Sequence, residues 1–279
     1  MTSDRPSPPV ITFLSDYGHR DEFVGVCHGV IARRCPAARV IDLTHDVPAH
    51  DVRAGAILLR AALPYLPSGV HLAVVDPGVS AVAPNARRAI AVRTVDDGHT
   101  LVGPDNGLLM PAAERLSGVA EAFDIGSSPE RLEPVSRTFH GRDIFAPVAA
   151  ALAAGESLGA VGEPLAPELL RRMSIPTAQA ADGALTAHVL RADTFGNLIL
   201  NASGEQLVAL GARIGAPLSV AHAGTQHVAP YAATFADVTP GELLVFEDAQ
   251  RMVSLAVNRG SAARLLCADA DAELVIRLA

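Results

Sequence analysis

The feature that most limits what this chain can fold into is the regular alternation of strand and helix patterns in its first half. Apolar runs that end in turn residues predict strands at 10–14, 39–43 and 70–75. Between them, apolar residues recur at helical spacing from Phe23 to Ile31 and again over 51–62. This alternation predicts an α/β domain with a mainly parallel sheet flanked by helices. Further strands are predicted at 89–94 and 100–102, a helix at 143–154 and a short helical piece at 168–173.

A different pattern follows a Pro- and Ala-rich segment that ends at Asp182. The strands predicted there are short and bounded by Gly and Asp, and they cover 184–190, 198–201, 217–221, 242–246, 252–257 and 273–278. They indicate a smaller all-β domain, either a sandwich or a barrel. We therefore expect an α/β domain at 1–178 and a β domain at 184–279.

Composition narrows the classes of partner. The net charge of the 279 residues is −8 and basic residues cluster only in pairs, so the cationic face that nucleic acid requires is not expected. The N-terminal residues lack the apolar core of a signal peptide, and no apolar run reaches the length of a membrane span. Three cysteines without a CxxC pair indicate buried, reduced thiols in a cytoplasmic protein.

Acidic residues follow three successive predicted strands. These residues are Asp16, Asp46 and Asp76, the last on a corner that Pro77 and Gly78 fix. Because ligands of such sheets bind beyond the carboxyl ends of the strands, we expect a binding site here. The Asp16 carboxylate suits the two hydroxyls of a ribose, and it equally suits a helix cap.

Two further clusters carry polar chemistry. His140 precedes a predicted helix, whose positive end lowers a histidine pKa and favours the neutral imidazole of a general base. A lone histidine is also a common structural hydrogen-bonding residue. Asp193, Phe195 and Asn197 place a carboxylate, an aromatic ring and an amide within one short segment of the β domain. Since HxxxH, HExxH and CxxC spacings are absent, no metal site is predicted.

Taken in order, these clusters resemble those of the SAM hydroxide adenosyltransferases, relatives of the fluorinases and chlorinases. The resemblance runs from about Val10 to Leu266 and rests jointly on the motifs LSDYGxxDxFVG, DLTHDVPxHDVRAGA, VVDPGV, GPDNGLL, TFHGRD and DxFGN. It implies an N-terminal domain with a seven-stranded sheet and a C-terminal β domain. It also implies a homotrimer that holds S-adenosylmethionine (SAM) between the N-terminal domain of one subunit and the C-terminal domain of the next.

The resemblance assigns roles to individual residues. Asp76, Arg87 and His140 match a set that activates water, while Asp16 would bind the ribose hydroxyls. The other positions implied to contact substrate are Asp21 and Phe23 at the methionine end, Asp193 and Asn197 at its amine and carboxylate with Phe195 beside them, Val257 and Arg259 through their backbones, and His50, Val79, Thr138, Phe139 and Phe235.

Two departures from the family pattern affect this assignment. The segment 80–86 lengthens the spacing before Arg87, so that Arg88 stays open as the alternative arginine. The segment Asp248–Arg251 replaces the usual Asn-Ser-Ser-Gly and could remove a contact to methionine or adenine.

The reaction implied is attack of water on C5′ of SAM, which gives adenosine and methionine. SAM is the substrate, and no cofactor is expected.

Two alternative functions stay open. The first is a halogenase-like transfer to halide, which the carboxylate of Asp76 would disfavour by about 4 kcal/mol at 4 Å and an effective dielectric constant near 20. The second is a SAM- or adenosine-binding protein without catalysis, which would not need a base.

Overall fold

The structure, a computed structural model, describes residues 7–81, 86–96 and 98–279. Two compact units make up the chain. The first ends at Met173 and the second runs from Ser174 to Ala279. Part of the segment that lengthens the spacing before Arg87 lies outside the described residues. Among the described residues, no helix is long and apolar enough to cross a membrane.

The first unit is built from strands and helices in alternation. Its elements are β1 (Val10–Ser15), α1 (Phe23–Arg34), β2 (Arg39–Thr44), α2 (Val52–Ala62), β3 (Gly69–Val74), β4 (Ala89–Thr94), β5 (His99–Pro104), α3 (Met110–Arg115), β6 (Val119–Asp124), α4 (Ala146–Ala153), α5 (Leu158–Val161) and β7 (Glu163–Leu165). A π-helical turn at Gly141–Phe145 leads directly into α4. The helical piece predicted at 168–173 is only a 3-10 turn at Pro167–Leu169. This turn does not extend into an α-helix, because no apolar stripe follows it.

The seven strands form one sheet in the order β2-β1-β3-β5-β4-β6-β7. Pairings β1–β2, β1–β3 and β3–β5 are parallel, whereas β4–β5, β4–β6 and β6–β7 are antiparallel. The prediction of a mainly parallel sheet is therefore wrong for half of it. The physical reason is the short connection between β4 and β5, because a hairpin can join only antiparallel strands.

Apolar side chains cover both faces of this sheet. Ile11 and Phe13 of β1 pack with Val148 of α4 on one face, and Leu14 packs with Leu59 of α2 on the other. Because β1, β2 and β3 are parallel, their carboxyl ends meet at one edge of the sheet. The loops that carry Asp16, Asp46 and Asp76 follow these ends.

The second unit is a barrel. Its elements are β8 (Gln179–Ala181), β9 (Ala184–Ala192), β10 (Leu198–Ser203), α6 (Gly204–Ala209), β11 (Pro217–His222), β12 (Thr225–Ala232), β13 (Leu243–Glu247), β14 (Met252–Val257), α7 (Ala262–Leu266) and β15 (Glu273–Leu278). The strands follow the order β10-β14-β13-β12-β11-β15-β9-β8, and a further pairing of β10 with β9 closes the ring. Closure removes the exposed strand edges of an open sheet.

The sequence patterns missed four elements of this unit, of which β8 is a strand of only three residues. Strand β12 is exposed over its first half and contains Pro230, so its residues do not alternate as a half-buried strand does. Helices α6 and α7 are shorter than two turns, which is too short for a helical stripe to be recognised. The expectation of three buried thiols is wrong for Cys267, which is exposed where the chain leaves α7 in a left-handed conformation.

Candidate active site

Asp76, Arg87 and His140 form one connected group in the first unit. Arg87 Nε lies 3.0 Å from Asp76 Oδ1 and 3.1 Å from Oδ2, and Nη2 also contacts Oδ2. The same Nη2 lies 2.8 Å from His140 Nδ1. The Asp76 and Arg87 side chains are each only 6% exposed. Arg87 thus bridges the carboxylate after β3 and the imidazole before α4.

Arg88 points elsewhere. Its Nη1 donates to Asp105 Oδ2 and to the carbonyl oxygen of Leu169, each at 3.1 Å. Since successive residues at the start of a strand project to opposite sides, only one arginine of the pair can face His140.

The contact with Arg87 determines the proton distribution of His140. A guanidinium has only donors, so Nδ1 accepts and carries the lone pair of the neutral ring. Burial first, and the positive charge of Arg87 second, hold the pKa of His140 below its ordinary value, against the opposing pull of Asp76. The imidazole is therefore neutral at pH 7, as expected from the sequence, with burial as the largest cause.

Asp16 and His50 also lie together. The carboxylate of Asp16 accepts a hydrogen bond from the backbone N–H of His50 at 2.9 Å. His50 adopts a left-handed conformation with φ of 68°, which turns this N–H towards the strand end. His50 thus contributes its backbone, and Asp16 keeps one carboxylate oxygen, Oδ1, for another donor.

A cluster of three aromatic rings lies beside His140. The ring centroids of Phe23 and Phe139 are 5.2 Å apart, and Tyr17 lies 5.9 Å from the first and 5.8 Å from the second. Burial raises the pKa of the Tyr17 hydroxyl well above its ordinary value, so this group stays neutral. The hydroxyl packs on Gly141, where a Cβ would lie 2.0 Å from it.

Tyr17 was not among the residues predicted from the sequence. Its position directly after Asp16, on the turn that ends a buried strand, is the signal that could have identified it.

The remaining predicted positions of this unit flank the Asp76–Arg87–His140 group. Thr138 is exposed, with its backbone N–H 3.2 Å from Ser136 Oγ, while Val79 closes a turn onto the Asp76 carbonyl and Asp21 is exposed shortly before α1.

In the second unit, a cavity of about 740 Å³ gathers the predicted residues of the barrel. Its lining includes Asp193, Phe195, Asn197, Phe235, Val257 and Arg259. Phe195 is 77% exposed and Phe235 is 45% exposed, which is unusual for aromatic rings and leaves them available to a ligand. Arg191 and Arg264 also line the cavity, and the sequence analysis did not identify them.

Asp193 organises its own loop. Its Oδ1 accepts from the backbone N–H groups of Phe195 and Asn197, each at 2.9 Å, and its Oδ2 accepts from Asn197 Nδ2 at 2.8 Å. Gly196 packs so closely on Ser261 that a Cβ would lie 2.1 Å from its hydroxyl. These bonds hold the side chain of Phe195 out of the loop.

The segment that departs from the family pattern also lines this cavity, through Asp248, Ala249 and Gln250. Asp248 Oδ1 accepts from the backbone N–H of Gln250 at 2.8 Å and of Met252 at 3.0 Å, and Oδ2 accepts from Ser254 Oγ at 3.1 Å. The segment Asp248–Arg251 therefore forms a tight turn that the Asp248 carboxylate stabilises.

Comparison with known proteins shows which family this chain resembles in sequence. Residues 11–162 match the SAM hydroxide adenosyltransferase N-terminal domain, and residues 187–275 match the C-terminal domain of that family. An (R)-S-adenosyl-L-methionine hydrolase from Salinispora tropica is 49% identical over 258 residues, which cover 92% of this chain and 94% of the relative. A fluorinase from Nocardia brasiliensis is more distant, with 28% identity over 292 residues that cover 94% of this chain and 95% of that protein.

A solved structure agrees with the sequence comparison. The crystal structure of an uncharacterized conserved protein from Thermotoga maritima superposes with a TM-score of 0.89 and 36% identity, covering 96% of this chain and 99% of the other. Both domains match the family models, and the similarity to relatives extends over almost the whole chain. The protein therefore belongs to the SAM hydroxide adenosyltransferase family.

Proposed function

We propose that this chain hydrolyses SAM, with water attacking C5′ of the ribose to give adenosine and L-methionine. The observation that carries the proposal is the connected group Asp76–Arg87–His140, in a chain whose relatives include named (R)-S-adenosyl-L-methionine hydrolases. Mere binding of SAM does not require a neutral imidazole that is held by a paired arginine.

The substrate would use residues of both units. The ribose hydroxyls would donate to the Asp16 carboxylate, whose other oxygen, Oδ2, is held by the His50 backbone. The exposed rings of Phe195 and Phe235 would cover apolar and aromatic parts of SAM. Asn197 is held by Asp193 through its amide nitrogen, which leaves its carbonyl oxygen for the methionine amine.

The reaction needs a better nucleophile more than a better leaving group. The sulfonium of SAM departs as the neutral thioether of methionine, which takes the electrons of the C5′–S bond. Water supplies the new oxygen, and one proton must leave it. Positioned general-base assistance is typically worth about 10²–10⁴-fold in rate.

His140 is suited to receive that proton. Its ring lone pair is on Nδ1, the atom to which Arg87 Nη2 donates. Because the two atoms are 2.8 Å apart, a water could reach Nδ1 only once Nη2 has moved off it; Arg87 would then donate to that water, and the water would give its proton to Nδ1. Asp76 would keep Arg87 in place through Nε and would offset the charge of the imidazolium. The proton then passes to solvent.

Transfer to halide is the second candidate, because fluorinases are relatives of this chain. A carboxylate at the nucleophile position repels an anion, although the pairing of Asp76 with Arg87 offsets part of this repulsion. A halide also needs no base, so the neutral His140 favours water.

The test is incubation of the purified protein with SAM in ¹⁸O-water, with and without chloride, followed by mass analysis of the nucleoside. Adenosine that carries ¹⁸O at its 5′ position, at a rate independent of chloride, is the expected result. Formation of 5′-chloro-5′-deoxyadenosine would support the halide reaction instead. SAM binding without any product would favour a binding protein.

Assembly and location extend this proposal. From the family resemblance we infer a homotrimer in which SAM contacts two subunits, and from the free cysteines a cytoplasmic location. Light scattering on the purified protein should then give a mass about three times the chain mass of 28.9 kDa. A monomer with full activity would contradict the shared site.

A further inference from the structure

A second group of chemically reactive side chains lies in the first unit, outside the Asp76–Arg87–His140 group. It consists of His28 on α1, Asp42 on β2 and His45 in the loop after β2. His28 Nε2 lies 2.9 Å from Asp42 Oδ1, and His45 Nε2 lies 3.1 Å from the same oxygen. One donor atom from each of the three residues falls within 4.8 Å of the other two. The three side chains thus converge on one point.

His45 provides an independent reason to expect a ligand at that point. The side chain is 0% exposed, and its Nδ1 lies 2.7 Å from Ser15 Oγ. Its Nε2 is buried and, although it lies 3.1 Å from Asp42 Oδ1, it makes no well-formed hydrogen bond to the described residues. Buried polar atoms are almost always paired, so a buried nitrogen that lies close to a carboxylate without a well-formed hydrogen bond requires an explanation.

The donor set fits a borderline transition-metal ion. Two imidazole nitrogens and one carboxylate oxygen are ligands that Zn²⁺ takes at about 2.0–2.2 Å in open three-ligand sites. Tetrahedral bonds of that length place the donor atoms about 3.3 Å apart. The separations of 2.9 and 3.1 Å from Asp42 Oδ1 need only small adjustments, and the third separation, between the two imidazole donors, lies within 4.8 Å. Ser15 would act as the outer partner that fixes the His45 tautomer, with Nδ1–H donated to Oγ and the lone pair left on Nε2.

Access and additional ligands are also available. The His28 side chain is 35% exposed and the Asp42 side chain 38%, so an ion can enter from solvent while His45 forms the buried wall. The ring of His19 stands 5.2 Å from the ring of His45, which leaves water or His19 to complete the coordination.

We propose that His28, Asp42 and His45 bind one divalent transition-metal ion of the Zn²⁺ type, at a site distinct from the reaction centre. The ion would join α1, the end of β2 and the loop after it. That loop is tied to the end of β1 by the bond from Gly18 N to the His45 carbonyl at 2.7 Å, and it leads to His50, whose N–H holds Asp16. Metal binding would therefore stiffen the support of Asp16. The proposal does not depend on which reaction the protein catalyses.

The test is a titration of chelator-stripped protein with Zn²⁺ in competition with a chromogenic chelator. We expect the wild type to bind one equivalent and to unfold at a higher temperature with Zn²⁺ than without it. His28→Asn and Asp42→Asn should each weaken this binding by more than about tenfold and abolish the thermal shift, since each removes a ligand. His227→Asn, on β12 of the barrel, is the matched control and should bind as the wild type does.

Two outcomes would overturn the proposal. One is wild-type protein that binds no Zn²⁺ at micromolar concentration. The other is one-equivalent binding that both His28→Asn and Asp42→Asn leave unchanged. Because the two substituted side chains are partly exposed, both variants should fold without the metal, and circular dichroism of the stripped proteins checks this.

Discussion

Replacing Arg87 by Lys separates the charge of this residue from its geometry. The guanidinium donates through Nε and Nη2 to Asp76 and through Nη2 to His140 at the same time. A single ammonium keeps the positive charge but cannot span both partners. The neighbouring substitution Arg88→Lys is the matched control, because Arg88 forms a partly exposed contact with Asp105 and none with His140.

The expected size of the effect follows from what is lost. General-base assistance is worth about 10²–10⁴-fold, and the base itself remains in Arg87→Lys without its positioning partner. We expect the lower end of that range, about a 100-fold loss in kcat. This corresponds to about 2.7 kcal/mol on the activation barrier at about 1.36 kcal/mol per tenfold. Arg88→Lys should keep kcat within about threefold of wild type, because Arg88 bonds Asp105 and the Leu169 carbonyl and does not contact His140.

The assay is single-turnover conversion of SAM to adenosine by liquid chromatography, with SAM binding measured separately by calorimetry. Arg87→Lys should bind SAM within about threefold of wild type, because the loss is placed in the chemical step. Equal kcat values for Arg87→Lys and Arg88→Lys would refute the assignment. A loss explained entirely by weaker binding would do the same. If Arg87→Lys fails to fold because Asp76 is left buried, His140→Gln provides the same test.

Three further predictions follow from the geometry. The pKa of His140 lies below its ordinary value of 6.5, so the imidazole is neutral at pH 7. We therefore expect log kcat to fall only as the pH drops through that lowered pKa. A pH profile in which kcat already falls above pH 7 would contradict this. Gly141→Ala should destabilise the protein by about 1–3 kcal/mol through its clash with Tyr17, and thermal melts would show this. Gly29→Ala on α1, where a Cβ meets nothing within 4 Å, should instead raise stability by up to about 1 kcal/mol. Phe195→Ala should leave the melting temperature unchanged, because the ring is 77% exposed, and raise KM for SAM; an unchanged KM would exclude this ring from the substrate site.

The family and the broad architecture could be predicted from the sequence because both depend on local patterns. Strands β1, β2 and β3 are apolar runs that end in turn residues. An acidic residue follows each run in the sequence, and in the structure these residues follow the strand ends at one edge of the sheet. The change of pattern near Asp182 is likewise a local property. The roles of Asp16, Asp193 and the other substrate positions remain predictions that the experiments above test.

Only the tertiary structure decided questions that depend on direction and on distant neighbours. The side on which Arg87 and Arg88 project follows from the path of the chain into β4, and the position of β4 between β5 and β6 follows from its long-range pairing with β6. His28 and Asp42 share no recognisable spacing, and they meet only because α1 packs beside the edge strand β2. A sequence motif detects residues that are close along the chain. A site is formed by side chains that tertiary packing brings together, and sequence patterns do not show which distant residues pack against each other.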